Sequence, residues 1–327
     1  MQWHTGIPQP DWDDTLFNHG GHFLQSSHWA AFNNALGKQV FYSRGDGWQA
    51  LAILETSRTG SRLYCPYGPL TTGETALLAA FKALTKLARQ HHALFVRVEP
   101  ISTKQKVALS DFKLKPALKD IQPAQTWVLN LKQPEDAILG DFTPTNRNLY
   151  RTAAKKGLSF RATHDPAEIP IFLQMIHDVA AHTGIKPHSD TYYTTMATVL
   201  LPRKAATLYI AEHHGTPVGA AFVFDAPHTR YYAHAGNLLS ARKLHPGAPL
   251  LATMIFDAKK QGKAHFDFVG VAPVGAENHP WEGFTKFKKS FGGEYKFYLG
   301  TWELPTHPLY RLYRGVYQAH RKFKDIG

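Results

Sequence analysis

Apolar residues recur along this chain at two different periods, and the places where one period gives way to the other mark its elements. In SSHWAAFNNALG, Trp29, Phe32 and Leu36 form a stripe at helical spacing between a Ser-rich start and Gly37, which predicts a short amphipathic helix. QVFYSRGDGWQALAIL predicts a hairpin turned at Gly45-Asp46-Gly47. The strand RLYCPYG leads into TGETALLAAFKALTKLARQ, whose Ala/Leu content and i, i+3, i+4 spacing make it the clearest helix of the first half. ALFVRVEP then reads as a buried strand. Residues 101–123 fix no element, and TWVLNL is a strand that leads to a helix around NRNLYRTAAKKG, closed by Gly157.

A second round begins with the strand LSFRAT. Two helices follow, PAEIPIFLQMIHDVAAHTG capped by Gly184 and SDTYYTTMATVLL opened by Ser189 or Asp190. Next come three strands, AATLYIAEHH, PVGAAFVF and TRYYAHAG, then the helix APLLATMIFDAKKQG, the strand AHFDFVG, the helix PWEGFTKFKKSFGG and the strand EYKFYLG. This order is the one used by the acetyltransferase-like (GNAT) α/β fold, in which a mixed sheet splays open and a helix N-terminus faces the cleft. The first half follows a looser version of the same succession. The fold class expected is α/β, with two tandem GNAT-like subdomains of mixed sheets: residues 1–150 with 301–327, and residues 151–300. The seam is expected at the helix around Arg147.

Composition narrows the classes. With 327 residues, 43% hydrophobic and 19% charged, the chain suits two domains, and no apolar run approaches the roughly 20 residues of a membrane span. The N-terminal stretch lacks a secretion signal, so a cytoplasmic location is expected. Cys65 is the only cysteine, which excludes an internal disulfide and a cysteine-based zinc site and suits a small apolar filler. The 19 histidines show no H-E-x-x-H or comparable spacing, so no metal is expected. No G-x-x-x-x-G-K-[ST] loop or G-x-S-x-G elbow occurs. The formal net charge of +12 favours polyanionic partners, namely nucleic acid, a phosphate-bearing substrate or an anionic membrane surface.

Four stretches resemble the Fem (FemABX) family of peptidoglycan bridge-forming aminoacyl transferases. FLQSSHWAAF is similar to the family's Q-[ST]-x-x-W start and LYCPYGPL to its Y-x-P-x-G-P segment. RNLYRTAAKKGLSF resembles R-x-x-[IV]-R-x-A-x-K-x-G, and FDFVGVAP followed by HPWEGFTKFKKSFGGE resembles the family's [FY]-D-x-x-G and F-K-x-[GS]-F-G-G motifs. The last is the most specific. Together they span almost the whole chain, and the absence of a sustained heptad makes it resemble the compact, armless type.

The resemblance implies transfer of an amino acid from aminoacyl-tRNA, as co-substrate and with no further cofactor, to the stem-peptide amine of a UDP-linked or lipid-linked wall precursor. Both partners are polyanions, which accounts for the basic charge. An aminoacyl ester is already activated, so positioning and charge stabilisation should dominate the reaction. Lys288 matches the family's catalytic lysine and is expected to oppose the oxyanion and the leaving oxygen. Phe287 is expected to stack on the acyl-tRNA terminus. The alternative is an amphipathic helix with every Phe inward and every Lys outward.

Tyr232 matches the family's tyrosine at the acyl group, and alternation puts His234 on the same strand face; the alternative is an aromatic strand that faces the core. Asp267 is expected to orient the attacking ammonium or accept its proton, or else to act as a strand-end cap. Arg147 and Arg151, one helical turn apart with Lys155 continuing the row, are candidates for a diphosphate, the alternative being a plain solvent-exposed face. Trp29 and Tyr67 complete the substrate-binding set by their places in the motifs. Asn33 stands where some relatives carry a lysine for the precursor's phosphates, and TGIKPHSD replaces the family's R-x-G-F segment, so Lys186 or His188 is expected to substitute.

Two other readings stand beside this one. An acyl-CoA-dependent N-acyltransferase would use the same fold, but ARKLHPGAPLL is a poor Gly-rich turn because its prolines remove amides that a pyrophosphate needs. A non-catalytic RNA- or membrane-surface-binding protein would use only the basic face. For the transferase reading, peripheral contact with the inner membrane surface is a further expectation.

Overall fold

The computed structural model describes residues 2–57, 60–101 and 114–324. The chain opens with β1 (His4–Thr5), α1 (Asp11–Asn18) and α2 (Ser27–Ala35). β2 (Gln39–Gly45), β3 (Trp48–Ser57), β4 (Gly60–Cys65) and β5 (Leu70–Thr71) lead to α3 (Glu74–Gln90), β6 (Phe95–Val98) and β7 (Lys115–Pro116). The next stretch holds β8 (Gln125–Asn130), α4 (Glu135–Asp141), α5 (Pro144–Thr152), β9 (Leu158–Thr163), α6 (Ile169–Thr183) and α7 (Asp190–Leu200). β10 (Ala206–His213), β11 (Thr216–Asp225), β12 (Thr229–Asn237), α8 (Gly247–Lys260), β13 (His265–Gly270), α9 (Glu282–Lys289) and β14 (Glu294–Phe297) follow. β15 (Trp302–Pro305) and α10 (Tyr310–Lys324) close the chain.

These elements form two compact units, Met1–Ala124 with Phe297–Gly327, and Gln125–Lys296. The expected seam at residue 150 falls inside the second unit, and the physical reason is pairing. β8 joins β13 antiparallel, His265 opposite Asn130, so TWVLNL and the helix bearing Arg147 go with the second sheet. Of the segment that fixed no element, residues 102–113 lie outside the described residues.

The two sheets share a plan. In the first unit the order is β1-β2-β3-β4-β6-β15-β7 with β5 beside β3, and in the second it is β14-β8-β13-β12-β11-β10-β9. Each has an antiparallel meander of three strands, then a helix, then a strand parallel to the last of the three: β4 with β6 across α3, and β12 with β13 across α8. A crossover of this kind needs a helix, and both helices carry the apolar stripe to pack it. Leu77, Phe81, Leu84 and Ala88 of α3 are fully buried in the first core, as Leu251, Met254, Ile255 and Ala258 of α8 are in the second. The mixed α/β class and the tandem arrangement are as expected. β15 was not: only four residues long, it completes the first sheet by pairing with β6.

Helix ends follow their caps. The Ser26, Thr143 and Ser189 hydroxyls accept from the backbone N–H groups of Trp29, Asn146 and Tyr192, starting α2, α5 and α7. Gly184, at φ +71°, ends α6 in the left-handed conformation that glycine adopts without steric cost.

Candidate active site

The sheet of the second unit opens where β12 and β13 part. They pair from Thr229–His265 to Tyr231–Asp267, after which β12 continues alone against β11. β13 is irregular at the same level, because its register with β8 shifts between Asp267 and Gly270. In that interval Val269 takes φ +62°, a conformation that costs a β-branched residue roughly 1–3 kcal/mol. Asp267 holds the distortion in place. Its Oδ1 accepts the Val269 N–H at 2.7 Å and its Oδ2 accepts the Thr126 hydroxyl at 3.3 Å.

α9 is fastened across this opening at both ends. Near its start, the buried Thr285 hydroxyl donates to the Trp281 carbonyl and accepts the Ala272 N–H, both at 2.8 Å, tying the helix to the segment after β13. Past its end, the Ser290 carbonyl accepts the Thr143 N–H at 2.9 Å and the Asn146 side-chain amide donates to the Ser290 hydroxyl at 2.6 Å. The clamp fixes which side chains face inward. Phe284, Phe287, Lys288 and Phe291 follow i, i+3, i+4, i+7 and share one face. Along that face burial deepens from Phe284, 51% exposed, through half-buried Phe287 and Lys288 to Phe291, 0% exposed.

Lys288 therefore sits on the apolar face at the rim of the core. Its Nζ donates to the Gly270 carbonyl at 2.6 Å, directly after the strained turn. Burial holds its pKa down at about 8, with the negative charge of Asp267 opposing the shift. Asp267 is itself pushed up to about 6 by burial, with Lys296 and Lys288 among the groups that oppose it. The neighbouring lysines behave differently. Lys286 is exposed and paired with Glu282 at 2.8 Å, and the Lys289 ammonium lies over the Tyr295 and Trp127 rings at 4.3 and 5.0 Å. An ammonium has three donors and Gly270 takes one, so Lys288 presents a poorly hydrated cation with donors left for developing negative charge.

The remaining candidates divide. Tyr232 packs against the core that Phe287 also meets, its ring 6.5 Å from Phe266, and burial pushes its phenol well above the ordinary range. His234 is not beside it. The β12 register shifts so that Tyr232 opposes Val223 and His234 opposes Phe222, leaving Ala233 as an extra residue. That bulge turns His234 to the other face, against Tyr193, Phe224 and His188, where burial pushes its pKa down to about 3. The expected alternation onto one face thus fails for a definite reason.

Asp267 is 2% exposed with both oxygens engaged, so it is placed to hold the turn and bias Lys288 rather than to meet a substrate amine. Asp267→Asn keeps an acceptor for Val269 but removes the charge. Lysine NMR should then show Lys288 titrating below the wild-type midpoint; an unchanged midpoint would show that the two groups are not coupled.

Arg147 is already committed, with one guanidinium nitrogen donating to the Gly140 and Phe142 carbonyls at 2.8 and 2.5 Å. It closes α4 instead of reaching outward. Arg151 is exposed one turn on, and Lys155 lies beyond α5 in a 3-10 turn, so the expected cationic row is broken. Lys186 is exposed on the segment joining α6 and α7. In the first unit, Trp29 packs among Phe23 and Phe32, and Asn33 donates back to the Trp29 carbonyl at 2.9 Å. Tyr67 is buried, with φ +44°, its hydroxyl on the Pro123 carbonyl at 2.9 Å and its ring against His22 and Tyr298. Trp29 and Tyr67 therefore shape this unit's interior. Among the described residues no cluster of three or more metal-ligating side chains occurs.

Thr126, Thr285, Asn146 and Ser290 hold the site, and none was anticipated. Each acts through a contact distant in sequence, which no local pattern announces.

The plan of the sheets defines the class: two acetyltransferase-type α/β units in tandem. Residues 145–289 match the acetyltransferase (GNAT) domain model, and residues 15–120 match the FemAB family model. The FemAB match thus lies within the first unit and the acetyltransferase match within the second. The crystal structure of FemX superposes with a TM-score of 0.84 at 17% identity, covering 96% of this chain and 100% of that one. L-PGS from Bacillus licheniformis gives 0.62 at 15% identity, over 94% and 96% of the two chains. A tandem GNAT protein from the clavulanic acid biosynthesis pathway gives 0.56 at 13% identity, over 94% and 99%. At such identities these likenesses speak to fold alone. No curated protein matches the sequence.

Proposed function

We propose that this protein moves an amino acid from aminoacyl-tRNA to the stem-peptide amine of a peptidoglycan precursor, forming a cross-bridge. The observation that carries the reading is Lys288, a cation held on the apolar face of α9 with its Nζ on the Gly270 carbonyl and its pKa near 8. The amine nitrogen attacks the ester carbonyl, the carbon–ribose oxygen bond breaks, and the amine's proton ends on the ribose hydroxyl. Lys288 offsets the negative charge that gathers first on the carbonyl oxygen and then on the leaving oxygen. Tyr232 stays a neutral phenol at working pH and can donate to the acyl group. Phe287, with exposed Phe284 and Trp281 toward the start of the same helix, offers rings on which the terminal bases of a tRNA can stack.

In this reading the second unit takes the acyl-tRNA and the first takes the precursor. Aminoacyl-tRNA is the only co-substrate, and the work is done on the cytoplasmic side of the membrane. One observation tells against the coenzyme A alternative. Pro246 and Pro249 flank Gly247 at the start of α8 and remove backbone amides that a pyrophosphate would use there.

The test is to incubate the protein with mixed charged tRNAs and with nucleotide-linked and lipid-linked precursors. A mass increment of one amino-acid residue on a precursor is expected. Acetyl transfer from acetyl-CoA, without aminoacyl transfer, would overturn the proposal.

A further inference from the structure

Among the described residues, α10 is held to the first unit through one face. Tyr310 is buried, its ring 5.4 Å from Phe95, and Tyr313 lies 5.0 Å from the same ring. Arg314 turns the same way, donating to the Pro116 carbonyl and the Tyr310 hydroxyl at 3.0 Å, with Glu303 at 3.5 Å. On the opposite face, the described residues are exposed. Leu309, Leu312 and Val316, at i, i+3 and i+7, are 53%, 65% and 55% exposed, and Ala319 continues the stripe in the open. Charge along the helix has one sign: Arg311, Arg314, Arg321, Lys322 and Lys324 are present, and no Asp or Glu lies between Tyr310 and Lys324. Arg314 is partly neutralised by Glu303, while Arg311 is exposed beside the apolar stripe.

We propose that α10 lies in the plane of an anionic lipid surface, with Leu309, Leu312 and Val316 entering the boundary between headgroups and acyl chains. Arg311 meets the lipid phosphates, on a helix whose sequence carries positive charge and no acidic residue. An apolar stripe flanked by basic residues on a solvent-facing helix is the arrangement such a surface selects. No described helix is long and apolar enough to cross a bilayer, which fits a helix that lies on one. Other occupants fit less well. A nucleic acid would engage the cations and leave the leucines in water, and a second copy would bring like charges together. The proposal is independent of the transfer reaction and stands or falls without it.

Vesicle co-sedimentation of the full chain tests it, comparing phosphatidylglycerol-rich vesicles with pure phosphatidylcholine. The protein should sediment with the anionic vesicles only. Leu312→Ser with Val316→Ser should cut the partition coefficient roughly tenfold or more, and Arg311→Gln about fivefold. Both sites are exposed, so circular dichroism should be unchanged, as should transfer to a soluble nucleotide-linked acceptor. Equal binding to phosphatidylcholine, unaltered binding by the double variant, or no vesicle binding by the wild type would each overturn it. Loss of RNA retention or of self-association in the double variant, with vesicle binding intact, would reassign the face.

Discussion

Lys288→Met is expected to lower aminoacyl transfer by about 10²- to 10³-fold, the scale on which loss of one oxyanion donor is felt. The same change should make the fold more stable at neutral pH. The second expectation separates chemistry from packing. Lys288 is held near 8, below its ordinary 10.5, because burial disfavours its charge. A lysine whose folded pKa is depressed costs stability wherever it is charged. The penalty is full below pH 8 and fades as pH rises from about 8 to 10.5. Methionine keeps the length and apolar stem without the charge, so the variant should gain on the order of 1–3 kcal/mol below pH 8 and lose that advantage toward pH 10.5. Thermal unfolding across this range reads the difference. A variant that loses both activity and stability at pH 7 would mark Lys288 as a packing residue.

The second large effect lies under the sheet, in the same unit. Arg230 is 0% exposed and donates to Asp225 at 2.7 Å, Asp257 at 2.8 Å, Gln261 at 2.9 Å, the Met254 carbonyl at 3.3 Å and the Tyr209 hydroxyl. Tyr209 in turn donates to Asp257. A guanidinium suits this place because its fork can serve carboxylates on both sides at once. Arg230→Met strands two carboxylates, of which Asp225 is almost fully buried, and should cost about 3–5 kcal/mol. The exposed pair Arg44–Asp11, at 2.9 Å, is the control: Arg44→Met should cost about 1 kcal/mol or less. Urea unfolding of the two variants checks both, and a similar small loss in each would show that the buried network is not what holds α8 to the meander.

Much of this was legible in the sequence, for reasons that can be named. A meander, a helix and a parallel strand write distinct periods, so the tandem plan could be read twice along the chain. Lys288 is singled out by its place in the motif that resembles the family's, whereas periodicity alone reads every lysine of the helix as outward; the structure puts position 288 with Phe287 and Phe291 and leaves position 286 exposed. The unread parts depend on contacts between distant segments. β15 is too short to carry a period, and its pairing with β6 and β7 makes it a strand. The seam moved because β8 is claimed by β13, a pairing that no stretch around TWVLNL encodes. One extra residue in β12 separated His234 from Tyr232, and a bulge leaves no mark in the hydrophobic alternation. Arg147 looked available because sequence shows a cation's position on a helix but not the carbonyls of α4 that occupy it.

The most direct test of the central claim is the protonation midpoint of the Lys288 amine, followed by NMR on protein with isotopically labelled lysine side chains. One resonance titrating near pH 8, absent from the Lys288→Met variant, is the predicted result. If every lysine titrates near 10.5, the amine is fully hydrated and the account of this site is contradicted.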